Sequence, residues 1–240
     1  MGLFDLTAPL FSWLDELAGP GLPWLHVVVW GLASGAATMG LYRLTSCQAC
    51  IAKVKADLNP VRQELMGYDG DAAGLMALVG RNLKLSFKHI GLTAYPALIA
   101  SLPLLFVLAW LSNDYSYDYP PSGQEIGVTL ESADPALQGR ETVTWPANRS
   151  VTVSRAGQVI TRVEFRRPVP VVHKREAWNV LFGNPNGYLP KDSRVSAIEF
   201  ELPEQQLIAA GPDWMHGWMF LYFTTMVIAS LAIKFVFKIH

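Results

Sequence analysis

Two cysteines, in Cys47-Gln-Ala-Cys50, stand one turn apart if the segment is helical. Such a pair can hold a metal, exchange electrons, or simply pack as small apolar groups. A structural zinc takes four ligands, and the chain offers two Cys and five scattered His: His26, His89, His173, His216 and His240. A redox dithiol belongs in a thioredoxin-like context, which the neighbouring sequence lacks. The expectation is therefore two thiols that pack or stand idle, binding no metal and doing no redox chemistry. The histidines show no ligand spacing and read as interfacial or surface residues. Asn148-Arg-Ser150 fits the glycosylation pattern, but a three-residue match is too common to count. The sequence holds no nucleophile elbow, phosphate loop or pair of carboxylates within an apolar run. It reads as a non-enzyme without a cofactor.

Hydroxyls are the other polar groups in apolar surroundings. Gly31, Ala33, Ser34, Gly35, Ala36, Ala37, Thr38 and Gly40 form a small, mildly polar stretch. Two readings stand. Small residues allow close helix packing, or Ser34 and Thr38, one turn apart, line a wet groove. Ser101, Thr224 and Thr225 would join them there.

The elements that must position these groups follow from where charge is missing. Of the 240 residues, 16% are charged, against roughly 25% for a soluble domain. Residues 22–42, 89–113 and 214–233 contain no Asp, Glu, Lys or Arg. About 20 helical residues cross a hydrocarbon core, so the fold expected is an α-helical membrane protein with three spans: 22–43, 91–112 and 214–237. A formal charge of −1 excludes nucleic-acid binding through bulk positive charge.

Ahead of the first span, residues 1–21 place Leu3, Leu6, Leu10, Leu14 and Leu17 at helical spacing, with Asp5, Ser12, Asp15 and Glu16 opposite. This predicts an amphipathic helix lying in the interface, after which Pro20 and Pro23 turn the chain inward. Residues 44–90 read as a helical hairpin. Ile51, Val54, Leu58, Val61 and Leu65 form one seam, Met76, Val79, Leu83, Phe87 and Ile90 the other, with Gly67–Asp71 between them and Pro60 bending the first helix. Its surface carries Lys53, Lys55, Arg62, Arg81, Lys84 and Lys88. Short basic loops stay in the cytoplasm, which places the N-terminus outside and the hairpin and C-terminus inside. Residues 113–213 then form an exported β-rich domain. Strand-like alternation occurs at Thr142–Thr144, Val151–Val153, Val159–Phe165 after a turn at Gly157, and Ile198–Leu202; residues 183–187 read as a loop. A small antiparallel sandwich or sheet fits this pattern.

The order of parts in residues 1–112, with the last span, resembles the YidC/Oxa/Get-type membrane-protein insertase superfamily and its short archaeal and ER-membrane-complex relatives. The likeness rests on Pro9-Leu10-Phe11, on Tyr42, Leu44, Thr45 and Gln48, on Leu58-Asn59-Pro60 within a basic hairpin, and on Pro96 and Pro103. It implies an insertase or membrane chaperone of the bacterial inner membrane. A groove open to the cytoplasm would meet nascent or partner membrane proteins, and the basic hairpin would receive them. The chain departs from the family in three ways. Thr38 stands where the family has a groove arginine, there are three spans instead of five, and the β domain lies between the second and third. Those departures keep open a second reading, an accessory or scaffold subunit of a larger membrane complex whose exported domain binds a partner.

Overall fold

The computed structural model describes residues 2–19, 21–155 and 158–238. Pro20, Gly157 and His240, named above, lie outside them. The chain divides into two compact units, residues 1–27 with 105–221 and residues 28–104 with 222–240.

The first unit is built on an antiparallel sheet domain. Its strands are β1 (Glu125–Ser132), β2 (Gly139–Thr144), β3 (Ser150–Arg155), β4 (Gln158–Glu164), β5 (Val171–His173) and β6 (Val195–Phe200). They form a four-stranded sheet in the order β2-β1-β6-β5 and a two-stranded sheet of β3 and β4. Strands β1 and β5 were not expected. Ile126, Val128 and Leu130 do alternate along β1, whereas three-residue β5 is too short to show a period. The register sets Val128 opposite both Glu141 and Phe200, so alternate β1 residues point into one core with Val151, Val153 and Val163 of the smaller sheet. Three aromatic rings bind the two sheets together, with Trp145 5.0 Å from Phe165 and Phe165 4.9 Å from Phe200, centroid to centroid.

The same unit holds the N-terminal helix. A 3₁₀ turn at Leu3–Asp5 precedes α1 (Ala8–Leu17), so the amphipathic segment is broken at Leu6-Thr7. It packs beside the end of α4 (Ala72–Tyr115). Phe4 stacks edge-on against Phe106, Phe11 against Trp110, and Asp15 accepts a 2.7 Å hydrogen bond from the Tyr115 hydroxyl. Aromatic and polar pairing with α4 outcompetes an isolated helix of three turns, which is marginal alone.

Among the described residues, three helices are long and apolar enough to cross a membrane: α2 (Pro23–Thr45), α4 and α5 (Trp218–Val236). The last begins later than expected. Asp213–Met215 is a 3₁₀ turn and Gly217 separates it from α5. No break separates the second hairpin helix from the second span, because α4 runs unbroken for 44 residues through Pro96 and Pro103. At 1.5 Å per residue it is about 66 Å long, over twice a hydrocarbon core of roughly 30 Å.

In the second unit, α3 (Gln48–Met66) buries Ile51, Val54, Leu58 and Val61 as its spacing predicts. Asp71 starts α4 after the turn, its carboxylate accepting from the Gly74 amide at 3.1 Å. The expected α4 seam is corrected, for Val79 alone of its five members is half-buried. Met76 and Phe87 are each 70% exposed and Leu83 51%, with Ile90 also exposed. The half-buried face is formed by Leu78, Val79, Asn82, Leu85, Ser86 and His89. Three polar residues thus share the inner side with Leu78, Val79 and Leu85, while four large apolar ones stay outside.

Candidate functional site

The hydroxyl residues come first, because they define the expected groove. Ser34 is buried and its side chain meets the buried Tyr222 phenol. On either side of it, Gly31 and Gly35 let α2 and α5 approach closely. A Cβ on Gly31 would lie 2.9 Å from the Tyr222 carbonyl oxygen, and one on Gly35 2.7 Å from that of Met226. Arg43 at the far end of α2 lies over the Phe237 ring at 5.4 Å. These contacts advance together along both helices, so α2 and α5 run parallel on a Gly-x-x-x-Gly seam. Thr225 faces the same seam at Gly31.

The remaining hydroxyls are satisfied by their own helices. Thr38 donates to the Ser34 carbonyl at 2.7 Å, Ser101 to Leu98 at 2.8 Å and Thr225 to Tyr222 at 3.0 Å. Thr224 is exposed on α5. The structure brings Ser34 and Thr225 to one tightly packed seam and leaves Thr224 facing away from it. A hydroxyl bonded to its own backbone has less to offer a passing polar group.

The hairpin presents chemistry of another kind. Lys53, Lys55, Arg62, Arg81, Lys84 and Lys88 are all exposed. Arg81, Lys84 and Lys88 share α4 with the exposed side chains of Met76, Leu83 and Phe87, so the arm carries an apolar stripe with cationic neighbours. Met66, at the end of α3, is exposed as well. Sequence reasoning had found both sets of residues but had turned the apolar set inward.

The cysteines give the second correction, for they are not free thiols. Cys47 and Cys50 form a disulfide. The reason is local geometry. Cys47 caps α3, its sulfur accepting from the Cys50 amide at 3.3 Å, and the Cα atoms stand 5.2 Å apart, within disulfide reach. Both residues are exposed.

A polar knot in the first unit was not foreseen. The Ser12 hydroxyl accepts from Trp110 Nε1 at 3.0 Å and from Arg167 Nη2 at 2.9 Å, and Arg167 pairs with Asp114. Asp15 meets Tyr115 and lies 3.0 Å from His26 Nδ1. Burial lowers the Arg167 guanidinium from its ordinary value, with Glu16 acting in the opposite direction. The only sequence signal was the recurrence of Asp15, His26 and Asp114 at the edges of apolar runs. Beside the knot opens a cavity of about 680 Å³ lined by Arg162, Arg166, Arg167, Asp114 and Tyr188. No nucleophile is paired with a base here. Among the described residues no three His, Cys, Asp or Glu side chains could hold a metal ion.

Three membrane-length apolar helices among the described residues, with a separate antiparallel sheet domain, are compatible with a multi-pass membrane protein. No protein family, curated protein or solved structure matches the chain.

Proposed function

We propose that the protein is an insertase-like membrane chaperone that receives apolar segments of other membrane proteins on its helical hairpin. One observation carries the reading: the exposed stripe of Met76, Leu83 and Phe87, flanked on one side by Arg81, Lys84 and Lys88. A helix that presents large apolar side chains to water, with no core behind them, has the form of a docking face. Methionine and phenylalanine adapt to varied apolar partners, and the surrounding cations keep the arm soluble and favour the anionic side of a bilayer. The length of α4 agrees with an arm that reaches beyond the hydrocarbon while staying rigidly joined to a span. The order of elements resembles that expected of an insertase-type core. Its part in the work shifts from the hydroxyls of α2 to the hairpin, since those hydroxyls are bonded within their helices.

The test is an insertion assay with the full chain reconstituted in phospholipid vesicles and a small membrane protein synthesised in its presence. Met76→Glu with Phe87→Glu should reduce the protease-protected product at least several-fold while the carrier remains folded. Unchanged insertion by that variant would contradict the proposal.

A second reading, an accessory subunit whose β domain binds a partner, has its own observation in its favour. Val159 is exposed on β4, beside a cleft of about 370 Å³ lined by Arg155, Ile160 and Arg194. Under that reading the hairpin changes would leave insertion untouched, and changes at Val159 would release a partner.

A further inference from the structure

We propose that the sheet domain inserts one of its own loops into the lipid leaflet, so that the bilayer surface is its docking partner. This rests on the membrane reading above and adds a second point of attachment to it. The loop is Ala177–Phe182, between β5 and β6.

Composition marks it out first. Residues 177–190 contain no Asp, Glu, Lys or Arg, in a domain that carries ten Lys and Arg. Within that stretch Trp178, Val180, Leu181 and Phe182 are all exposed, Val180 by 64%. None of the four belongs to the core of the domain; Trp178 stacks on His173 at 5.1 Å and donates to the Glu176 carboxylate at 2.7 Å, and Phe182 packs on Phe4, yet each keeps a large apolar surface exposed.

Their level along the span comes from contacts within the same unit. Phe182 stacks against Phe4 at 4.8 Å, and Phe4 against Phe106 of α4 at 5.0 Å. The Phe4 amide donates to the Leu181 carbonyl at 3.0 Å. Phe106 precedes Asp114 by eight residues, about 12 Å along a helix. Asp114 pairs with Arg167 and marks the polar end of the span. Through Phe4 the loop is thus tied to the apolar run on the span side of that ion pair. Amphipathic elements seat about 5–10 Å into the headgroup and acyl boundary, and Trp178 is the residue type found at that level.

Lipid admits irregular backbone only when its polar groups are satisfied internally, and several groups of this loop are bonded in that way. Asn179 is buried; its Oδ1 accepts from the Glu176 amide at 2.7 Å and its Nδ2 donates to the Phe182 carbonyl at 3.1 Å. The amides of Asn179, Leu181 and Phe182 bond within the turn, and that of Gly183 donates to the Asp5 carboxylate at 2.8 Å.

The experiment uses the full chain with Cys47→Ser and Cys50→Ser in phospholipid nanodiscs. Nitroxide is placed singly at Val180→Cys, at Leu105→Cys on the span, and at Ala136→Cys in the β1–β2 turn. Collisions with oxygen, which enters lipid, are compared with collisions with a water-soluble nickel chelate. The oxygen-to-nickel ratio at Val180 should resemble that at Leu105 and exceed that at Ala136 several-fold. A lipid-type ratio at Leu105 with a water-type ratio at Val180 overturns this inference and leaves the membrane reading standing. Water-type ratios at both overturn the two together. Shielding of Val180 from both reagents means a protein covers the loop, and also refutes the proposal.

Discussion

The sheet domain and the α2–α5 seam are both closely packed, by opposite means. In the domain, large side chains from two sheets interlock: Trp145, Phe165 and Phe200 fill the centre, and alternation along each strand keeps charge outside. Along the seam the same closeness comes from the absence of side chains, with Gly31 and Gly35 set against the Tyr222 and Met226 carbonyls. Water drives the first arrangement, because burying apolar area is favourable only against water. In the bilayer that the proposed role places around the seam, lipid would offer no such drive, and the second would rely on backbone proximity and van der Waals contact. The difference teaches where each region is brittle. The domain fails when atoms are removed, the seam when they are added.

Truncation in the domain should have the largest effect. Phe200→Ala should lower the stability of the sheet domain by about 3–5 kcal/mol, read by pulse proteolysis of the full chain at sites in residues 121–211. A loss near zero would mean that the two sheets do not share one core. Addition in the seam comes next. Gly35→Leu should cost about 1–3 kcal/mol by overpacking and lower the melting temperature in detergent. Gly40→Leu, where a Cβ would meet nothing within 4 Å, should be silent. Equal effects at the two glycines would break the contrast. Smaller still is the disulfide. Replacing Cys47 and Cys50 by Ser should cost at most about 2 kcal/mol, the loop-closure value for so short a loop, with hydrogen exchange rising first at the start of α3. The smallest change is expected at the hairpin stripe. Met76→Glu with Phe87→Glu should alter stability by less than about 0.5 kcal/mol, since neither side chain is packed; a large loss would show that the stripe is core.

How much of this was legible depended on which physics wrote the signal. Charge-free runs of 20 or more residues overlap the three helices that are long and apolar enough to cross a membrane, because hydrocarbon would tolerate almost no charge along such a run. Strand β1 was legible in Ile126, Val128 and Leu130 yet passed over, because the turn-rich stretch before it masks where the alternation begins. The α3 seam followed apolar spacing, while on α4 only Val79 did. There Met76, Leu83 and Phe87 stand out and Asn82 and Ser86 turn inward beside Leu78 and Leu85, an arrangement that no rule of burial by hydrophobicity predicts. For the hydroxyls, spacing placed Ser34 and Thr38 on one helix but could not say that Thr38 bonds back to the Ser34 carbonyl. The knot of Ser12, Asp15, Trp110 and Arg167 joins residues up to 155 positions apart, and no local pattern reports such a distance. The disulfide has a simpler reason for being illegible: two cysteines one turn apart fit either state, and spacing alone does not report which.

The most direct test of the proposed role is photo-crosslinking along α4 during synthesis of a membrane protein. A photoreactive residue is placed in turn at Met76, Leu83 and Phe87 on the exposed stripe and at Leu85 on the half-buried face. The account predicts crosslinks to the nascent chain from the three stripe positions, appearing only while its apolar segment is being inserted, and internal crosslinks from Leu85. Crosslinks from the stripe to a single stable partner, present whether or not synthesis is under way, would contradict it.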